Sequence, residues 1–567
     1  MSDSDTDTSD SSSTDESIIN ENKLKELLHQ IEANDPSIDK VTIDFHRLNW
    51  DQFGKALGKN IHVKQLCIGE VSERHTNRDD VKSFCNELAS NNSIEQLTIE
   101  SSFKGDIIDM LIPFFKQNHN LRRLNIGDHI RNDDTKPNIE PLMRALSTFN
   151  TLREFECETN SLSDDDMSRI IHALSFHSQI MKLHLSQNVQ SRGIRELALL
   201  LNNQNSMLTN VSLWGCALSD SEAIILAEAL SNNSSMRTLH LGQNPNIAND
   251  GWRAILPQVL SLEELIIWGN TIDNDSSRLV GNAISNGNLR ELNLATSVNI
   301  TTEGWQAVFH ALQSSNCMIE HLHLHGNRFS EETMIYLASS LCRNSTVKRL
   351  SLEHVTCTQV GWGEFASVFQ NFNSVLERVY FGNSSTIGID NLISYAGSLI
   401  RNSTLKVLGL ASDTVNNLDD DRVGDAFSEL LCNKTTVMET FYSNHTIQTI
   451  SPLKNGDDDE EDDDIYELGS SGLSENVRSL FQLNRENSKM EAARRKIINV
   501  HFTEDCNMQP FVDMDLEVLP HVIAWMARDE YGHTLMYQFL RNFTGVIDVR
   551  RGTKSESKSN TQKRKRC

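Results

Sequence analysis

Several familiar signatures are missing from this 567-residue chain. No apolar run approaches the roughly 20 residues that a membrane-spanning helix needs. The opening MSDSDTDTSDSSSTDES lacks the basic-then-apolar layout of a secretory signal. An intracellular protein, cytoplasmic or nuclear, is therefore expected. The ten cysteines are scattered among aliphatic positions, with no CxxC pair. Reduced thiols are expected rather than a disulfide framework or a zinc knuckle. No P-loop, GxGxxG, GxSxG or HExxH segment occurs, so the strong signatures of nucleotide binding, esterase and zinc-protease chemistry are absent. Basic excess is missing too: 52 Lys+Arg against 78 Asp+Glu leave a net charge of −26. That balance disfavours nucleic acid and suits a protein partner of basic or mixed charge. No enzyme activity, cofactor or bound metal is expected, and a monomer is.

What is present is a period. The pattern LxxLxL begins at Val63, Ile94, Leu121, Leu152, Ile180, Leu208, Met236, Leu262, Leu289, Ile319, Val347, Leu376, Leu405 and Val437, close to every 28 residues. An earlier unit starts near Ile38. Helical patterns separate the strand-like pieces, as in SDSEAIILAEALSNN, where Ser219 and Glu222 have capping-box spacing. A strand-plus-helix unit of this size cannot bury its apolar side alone, so neighbours must stack. Counting the first Leu as position 1, position 9 is Asn160, Asn188, Cys216, Asn244, Asn270 and Asn327. An inward side chain there can satisfy backbone groups of the turn after each strand.

The LxxLxLxxN/C pattern, the period and the long helix resemble leucine-rich repeats of the ribonuclease-inhibitor type, over roughly residues 36–450. The resemblance implies an α/β solenoid, a horseshoe with parallel strands on the concave side and helices on the convex side. Val355 and Ser384 depart from the Asn pattern. Trp252, Trp305 and Trp362 each follow a Gly at a helix start, and Trp50 looks equivalent. An aromatic repeated at one place is read as core beneath the helix.

The ends differ from the middle. Residues 1–17 read as an acidic disordered tail and 18–35 as an N-terminal capping helix. About fifteen repeats fill 36–454. Residues 455–472 hold the acidic run DDDEEDDD (457–464), which repels itself and stays solvated. Residues 473–545 read as a helical C-terminal cap with two helical patterns, around 475–499 and within 516–543. The pairing of SNHT (443–446) with LNR (483–485), and the LPHVIAW and FLRN stretches, are similar to the C-terminal segment of diatom-type algal repeat proteins. By that resemblance the acidic run is a loop inserted in the cap. Residues 546–567 end in Lys563, Arg564, Lys565 and Arg566, either a nuclear-import signal or a solubilising tail.

With positions 4 and 6 of each strand turned inward, positions 3, 5 and 7 form columns on the opposite face, strands about 4.8 Å apart. Column 7 carries Trp214, Trp268 and His325. Column 5 carries His184, His240, Ile266, His323 and Tyr380. Column 3 carries His321, Arg349 and Arg378, besides Arg123, Lys182, Glu154, Glu264 and Glu291. Trp, Tyr and Arg are the residue types enriched at interface hot spots. The LWGC stretch (213–216) is similar to strand ends of ribonuclease inhibitor, which implies ligand contact for Trp214 and, by register, Trp268; the other reading lays these indoles flat over neighbouring strands. The stretch EHLHLHGN (320–327) sets His321, His323 and His325 at alternate positions. A zinc set of His323, His325 and Glu353 is geometrically conceivable, but a contact face is the expected role. The function expected is a non-enzymatic scaffold or inhibitor holding a protein on the concave face. The alternative is a GTPase-activating protein resembling those for Ran, which also carry an acidic segment after such repeats.

Overall fold

The LxxLxL segments from Val63 to Leu405 become short strands, because apolar residues at positions 4 and 6 alternate with mostly polar ones at 3 and 5. The start expected at Val437 is instead a short helix, Val437–Tyr442, capped by the Thr436 side chain, and the last strand, Thr449–Pro452, follows from a start at Ile447. The structure is a computed structural model and describes residues 23–43, 49–69, 78–100, 106–126, 138–158, 162–187, 189–382, 387–410, 420–452, 475–502 and 518–527, with Met536, Tyr537, Phe539 and Arg541. The expectations for 1–17, 455–472 and 546–567, including Lys563–Arg566, and for Asn160, Asn188 and Ser384 lie outside these residues.

The chain forms two compact units, Met1–Gly304 and Trp305–Cys567. The first carries ten strands: β1 (Lys40–Ile43), β2 (Gln65–Ile68), β3 (Gln96–Ile99), β4 (Arg123–Ile126), β5 (Glu154–Glu158), β6 (Lys182–Ser186), β7 (Asn210–Ser212), β8 (Thr238–His240), β9 (Glu264–Ile266) and β10 (Glu291–Asn293). They are parallel and pair in chain order. The second unit carries β11 (His321–His323), β12 (Arg349–Ser351), β13 (Arg378–Tyr380), β14 (Val407–Leu410) and β15 (Thr449–Pro452), again parallel and in order. Each unit therefore repeats strand, turn, helix and return, the α/β leucine-rich-repeat solenoid that the period predicts. The helices cover the buried side of the strands. Trp252, Trp305 and Trp362 lie there fully buried and Trp50 nearly so, as core.

Two ladders of buried polar groups tie successive repeats. The first is the expected position-9 ladder. Asn244 donates to Leu213 O (2.9 Å) and Leu241 O (3.0 Å), Asn270 to Leu241 O and Ile267 O (both 2.9 Å), and Asn327 to Leu324 O (2.8 Å). The Cys216 thiol reaches Leu185 O at 3.1 Å.

The second ladder was not anticipated. It stands three residues before the first Leu position, where the chain leaves a helix. In the first unit Asn91 donates to Leu57 O (2.7 Å), and its Oδ1 accepts from the backbone N–H of Ser93 and of Ile94, both at 2.9 Å. Asn60, Asn118 and Asn233 repeat this, and His177 substitutes with Nε2 at 3.0 Å from Leu146 O. In the second unit Asn344, Asn402 and Asn444 do the same. Each asparagine satisfies three or four backbone groups that would otherwise be unpaired. The triplets Asn344-Ser-Thr and Asn402-Ser-Thr, which have the form of glycosylation sequons, are thus buried turns.

The Ser219–Glu222 capping box forms: the Ser219 N–H donates to Glu222 Oε2 at 3.0 Å, and the hydroxyls of Ser219 and Ser191 also donate to this carboxylate. Burial works to raise the Glu222 pKa, but these hydrogen bonds prevail and hold it down to about 2.

At the ends, residues 23–32 are helical, and Ile31 O accepts from the Asn60 side chain. The single helical pattern expected around 475–499 is two helices, Glu475–Glu486 and Lys489–His501. Ser488 breaks the run because its side chain caps the second helix, accepting from Glu491 N–H. A third helix, Leu519–Met526, adds Val518, Val522, Trp525 and Met526 to a core with Val437, Ile497 and Phe539. The SNHT–LNR pairing is physical: Asn484 donates to Ile447 O at 2.7 Å and Asn444 O at 3.4 Å, as Asn118 does to Ile94 O and Asn91 O. No helix among the described residues is long and apolar enough to cross a membrane.

Candidate contact faces

In the first unit the sheet face turned away from the helices is laid out by register. Column 3 runs Arg123, Glu154, Lys182, Asn210, Thr238, Glu264, Glu291, and column 5 runs Asn125, Glu156, His184, Ser212, His240, Ile266, Asn293. Arg123 is clamped between carboxylates, 2.9 Å from Glu156 and 3.6 Å from Glu154. Burial pushes the His184 pKa down, against the pull of Glu156 and Glu154. His240 is pushed down to about 4 by burial and by His184. A neutral imidazole results, with Nδ1 3.3 Å from the Ser212 hydroxyl. Its Nε2 is buried without a hydrogen-bond partner.

Column 7 reads Trp214, Gly242, Trp268. The glycine is what lets the two indoles meet. Built on Gly242, a Cβ would stand 2.7 Å from Trp268 Nε1 and 2.8 Å from His240 Nε2, so Trp268 lies flat across that residue. The rings of Trp214 and Trp268 stack with centroids 6.4 Å apart and planes 29° from parallel. Both are half-buried, and Trp214 Nε1 is buried with no partner. After each indole the chain turns at a glycine of positive φ, Gly215 (64°) and Gly269 (68°), a conformation that side-chain-bearing residues rarely adopt. Gly326 (69°) does the same after His325.

In the second unit column 3 runs His321, Arg349, Arg378, Val407, Thr449, and column 5 runs His323, Ser351, Tyr380, Gly409, Ser451. His321, His323 and His325 are half-buried. Among the described residues no three His, Cys, Asp or Glu side chains converge into a metal-binding group. The conceivable set of His323, His325 and Glu353 is not such a group. Burial raises the Glu353 pKa, against the lowering effect of His354 and His323. Tyr380 lies over Gly409, where a Cβ would stand 2.5 Å from its Cδ1.

One group escaped the sequence reading. Lys496 is buried, its ammonium donating to Leu431 O (2.7 Å) and Asn444 O (3.0 Å), with His445 Nδ1 at 3.2 Å. Burial pushes its pKa down to about 7, with Cys432 acting the other way. The available signal was its helical register, since Ala492, Ala493, Lys496 and Ile497 share the buried side of one helix.

No family model matches the chain. It is similar to NACHT, LRR and PYD domains-containing protein 5 of Mus musculus, 23% identical over 343 residues that cover 59% of this chain and 29% of that protein. The corresponding protein 14 of Mus musculus is 26% identical over 239 residues, 41% of this chain and 24% of that protein. Ribonuclease inhibitor of Mus musculus is 21% identical over 300 residues, 52% of this chain and 64% of the inhibitor. The chain thus spans less than a third of those two NACHT relatives. A chain in the crystal structure of the Rad7 and Elc1 complex in yeast is similar with a TM-score of 0.39 and 17% identity, covering 72% of this chain and 94% of that one. The algal likeness of the C-terminal segment rests on the quoted residues alone.

Proposed function

We propose that this leucine-rich repeat protein is a non-enzymatic interaction protein, a scaffold or inhibitor that holds a protein partner of basic or mixed charge on its open strand faces. The observation that carries the reading is the stacked pair Trp214–Trp268. Two half-buried indoles on the face away from the helices add nothing to the helix-side core. Large rigid aromatics with an N–H handle are what interface hot spots use. Trp214 Nε1 and His240 Nε2 lie buried beside this pair without hydrogen-bond partners. His184 and His240 complete the contact set in the first unit. In the second unit the set is His321, His323, His325, Arg349, Arg378 and Tyr380.

Affinity capture with the full chain tests this. The wild type is expected to recover a partner that a folded Trp214→Ala, Trp268→Ala double variant does not; equal recovery by both would sink the reading. The GTPase-activating alternative draws on residues 457–464, and single-turnover GTP hydrolysis by Ran with and without the protein decides it. Import by Lys563–Arg566 is tested with a reporter fused to residues 552–567, for which an even distribution through the cell refutes the signal.

A further inference from the structure

Position 2 of each repeat stands at the lip of the strand face, one residue before the strand proper. Its register is fixed by the backbone, because the carbonyl there accepts two N–H groups from the next repeat. Arg122 O accepts from Arg153 (2.7 Å) and Glu154 (2.9 Å), and Arg153 O from Met181 (2.7 Å) and Lys182 (3.0 Å). Elsewhere on this lip charged neighbours are opposite in sign. In the first unit Lys64 pairs with Glu95 at 3.0 Å and Arg237 with Glu263 at 3.3 Å. In the second unit Lys348 pairs with Glu320 and Lys406 with Glu377, both at 2.6 Å. Arg122 and Arg153 break the alternation. They stand side by side on neighbouring repeats, both exposed, and neither has an ion-pair partner among the described residues. Lys182 adds a third exposed cation on the following strand. The carboxylates nearest in register are already engaged: Glu154 and Glu156 hold Arg123, and Glu95 holds Lys64. Like charges side by side on neighbouring strands destabilise a sheet, so an anion delivered here gains what the fold leaves uncompensated.

We propose that Arg122 and Arg153, with Lys182 beside them, form a docking point for one phosphorylated side chain of a protein partner. This rests on the reading of the open strand faces as contact surfaces and names the chemistry of one place on them. A phosphate monoester carries close to two negative charges near neutral pH and three strong acceptor oxygens. Guanidinium groups present donors in a rigid fork that matches those oxygens, which is why arginine clusters recognise phosphorylated motifs. Strands about 4.8 Å apart let two such forks close on a single phosphoryl group. Extent separates a point anion from an extended one. The cationic strip is three strands wide, about 10 Å, and it is bounded by Glu95 on one side and by Glu154 and Glu156 on the strand face. One dianion fits within that width. A run of carboxylates, or a nucleic acid with a phosphate charge about every 1.7 Å of duplex, would overlie these acids in a chain of net charge −26.

The test uses the full chain and fluorescein-labelled nonapeptide pools, read by anisotropy. Each pool has random neutral residues around a fixed central phosphoserine, serine or glutamate. The wild type is compared with Arg122→Gln plus Arg153→Gln and with Trp214→Ala plus Trp268→Ala. The phosphoserine pool is expected to bind the wild type at least tenfold more tightly than either other pool, and more weakly as salt rises from 50 to 300 mM. The arginine variant is expected to lose at least tenfold of that affinity and the tryptophan variant to keep it. No preference for phosphoserine over serine or glutamate, binding that the arginine variant retains, or tighter binding of an octathymidylate overturns the proposal. All three cations are exposed, and circular dichroism confirms the fold of each variant. The peptide assay needs no partner, so its failure removes the phosphoryl site alone, whereas equal partner capture by the tryptophan variant removes the broader reading.

Discussion

Trp214 and Trp268 stack at 6.4 Å although a whole repeat lies between them. The intervening repeat contributes Gly242, whose missing side chain opens the space that Trp268 fills. Adding one methyl group there forces the indole or His240 to move. Gly242→Ala is expected to destabilise the first unit by about 1–3 kcal/mol, the usual cost of overpacking. Near-ultraviolet circular dichroism should lose the signature of the coupled indoles while the far-ultraviolet spectrum stays unchanged. An unaltered near-ultraviolet spectrum would show that the glycine does not hold the pair together.

His240 is held neutral, its pKa down to about 4 from the ordinary 6.5. Between those values the unfolded chain binds a proton that the folded chain does not, so stability rises with pH across the window. The contribution is complete above pH 6.5 and is lost as pH falls through about 4. The His240 ring resonances should not titrate between pH 7 and 5 in NMR spectra. A midpoint near 6.5 would place the ring in water and contradict the packing.

The Asn344 side chain accepts from Thr346 N–H (2.9 Å) and Val347 N–H (2.8 Å) and donates to Leu312 O (2.8 Å). Asn344→Ala leaves three backbone groups unpaired. A loss of about 2–4 kcal/mol in urea unfolding is expected, at about 1–3 kcal/mol for a buried unsatisfied group with partial relaxation. Asn316→Ala, at an exposed position, should change stability by less than about 0.5 kcal/mol.

Lys496 has its pKa pushed down to about 7 from 10.5. Between these values the folded chain holds the neutral amine and the unfolded chain the ammonium, so this residue's contribution grows with pH. It is complete above pH 10.5 and is lost as pH falls through about 7. Lys496→Met removes that dependence and strands the carbonyls of Leu431 and Asn444. The wild type should exceed the variant in unfolding free energy by more at pH 9 than at pH 6. A gap that is constant with pH would mean that Lys496 stays charged in the fold.

Much of this was legible in the residues. The columns Arg123–Glu154–Lys182 and His321–Arg349–Arg378 followed from period-2 alternation and a repeat spacing, which together specify every neighbour. The Trp of each Gly-Trp was readable as core for the same reason. The stacking of Trp214 on Trp268 was not, because it depends on what a third repeat omits. Five of the asparagine turns, at Asn91, Asn233, Asn344, Asn402 and Asn444, were printed in the sequence as Asn-x-Ser/Thr, yet the same triplet has an unrelated meaning on a surface loop, and only burial separates the two. Lys496 was hidden because a lysine at a buried helical position looks like an interruption until its three acceptors are seen.

Sequence alone thus determined the repeat, the order of the strands and the residues that share a column, since these depend on local periodicity and on identical units stacking one way. The tertiary structure decided the burial of His240 and Lys496 and the pairing of the indoles. Those depend on distances across repeats and on how completely water is removed, quantities that no single stretch of chain encodes.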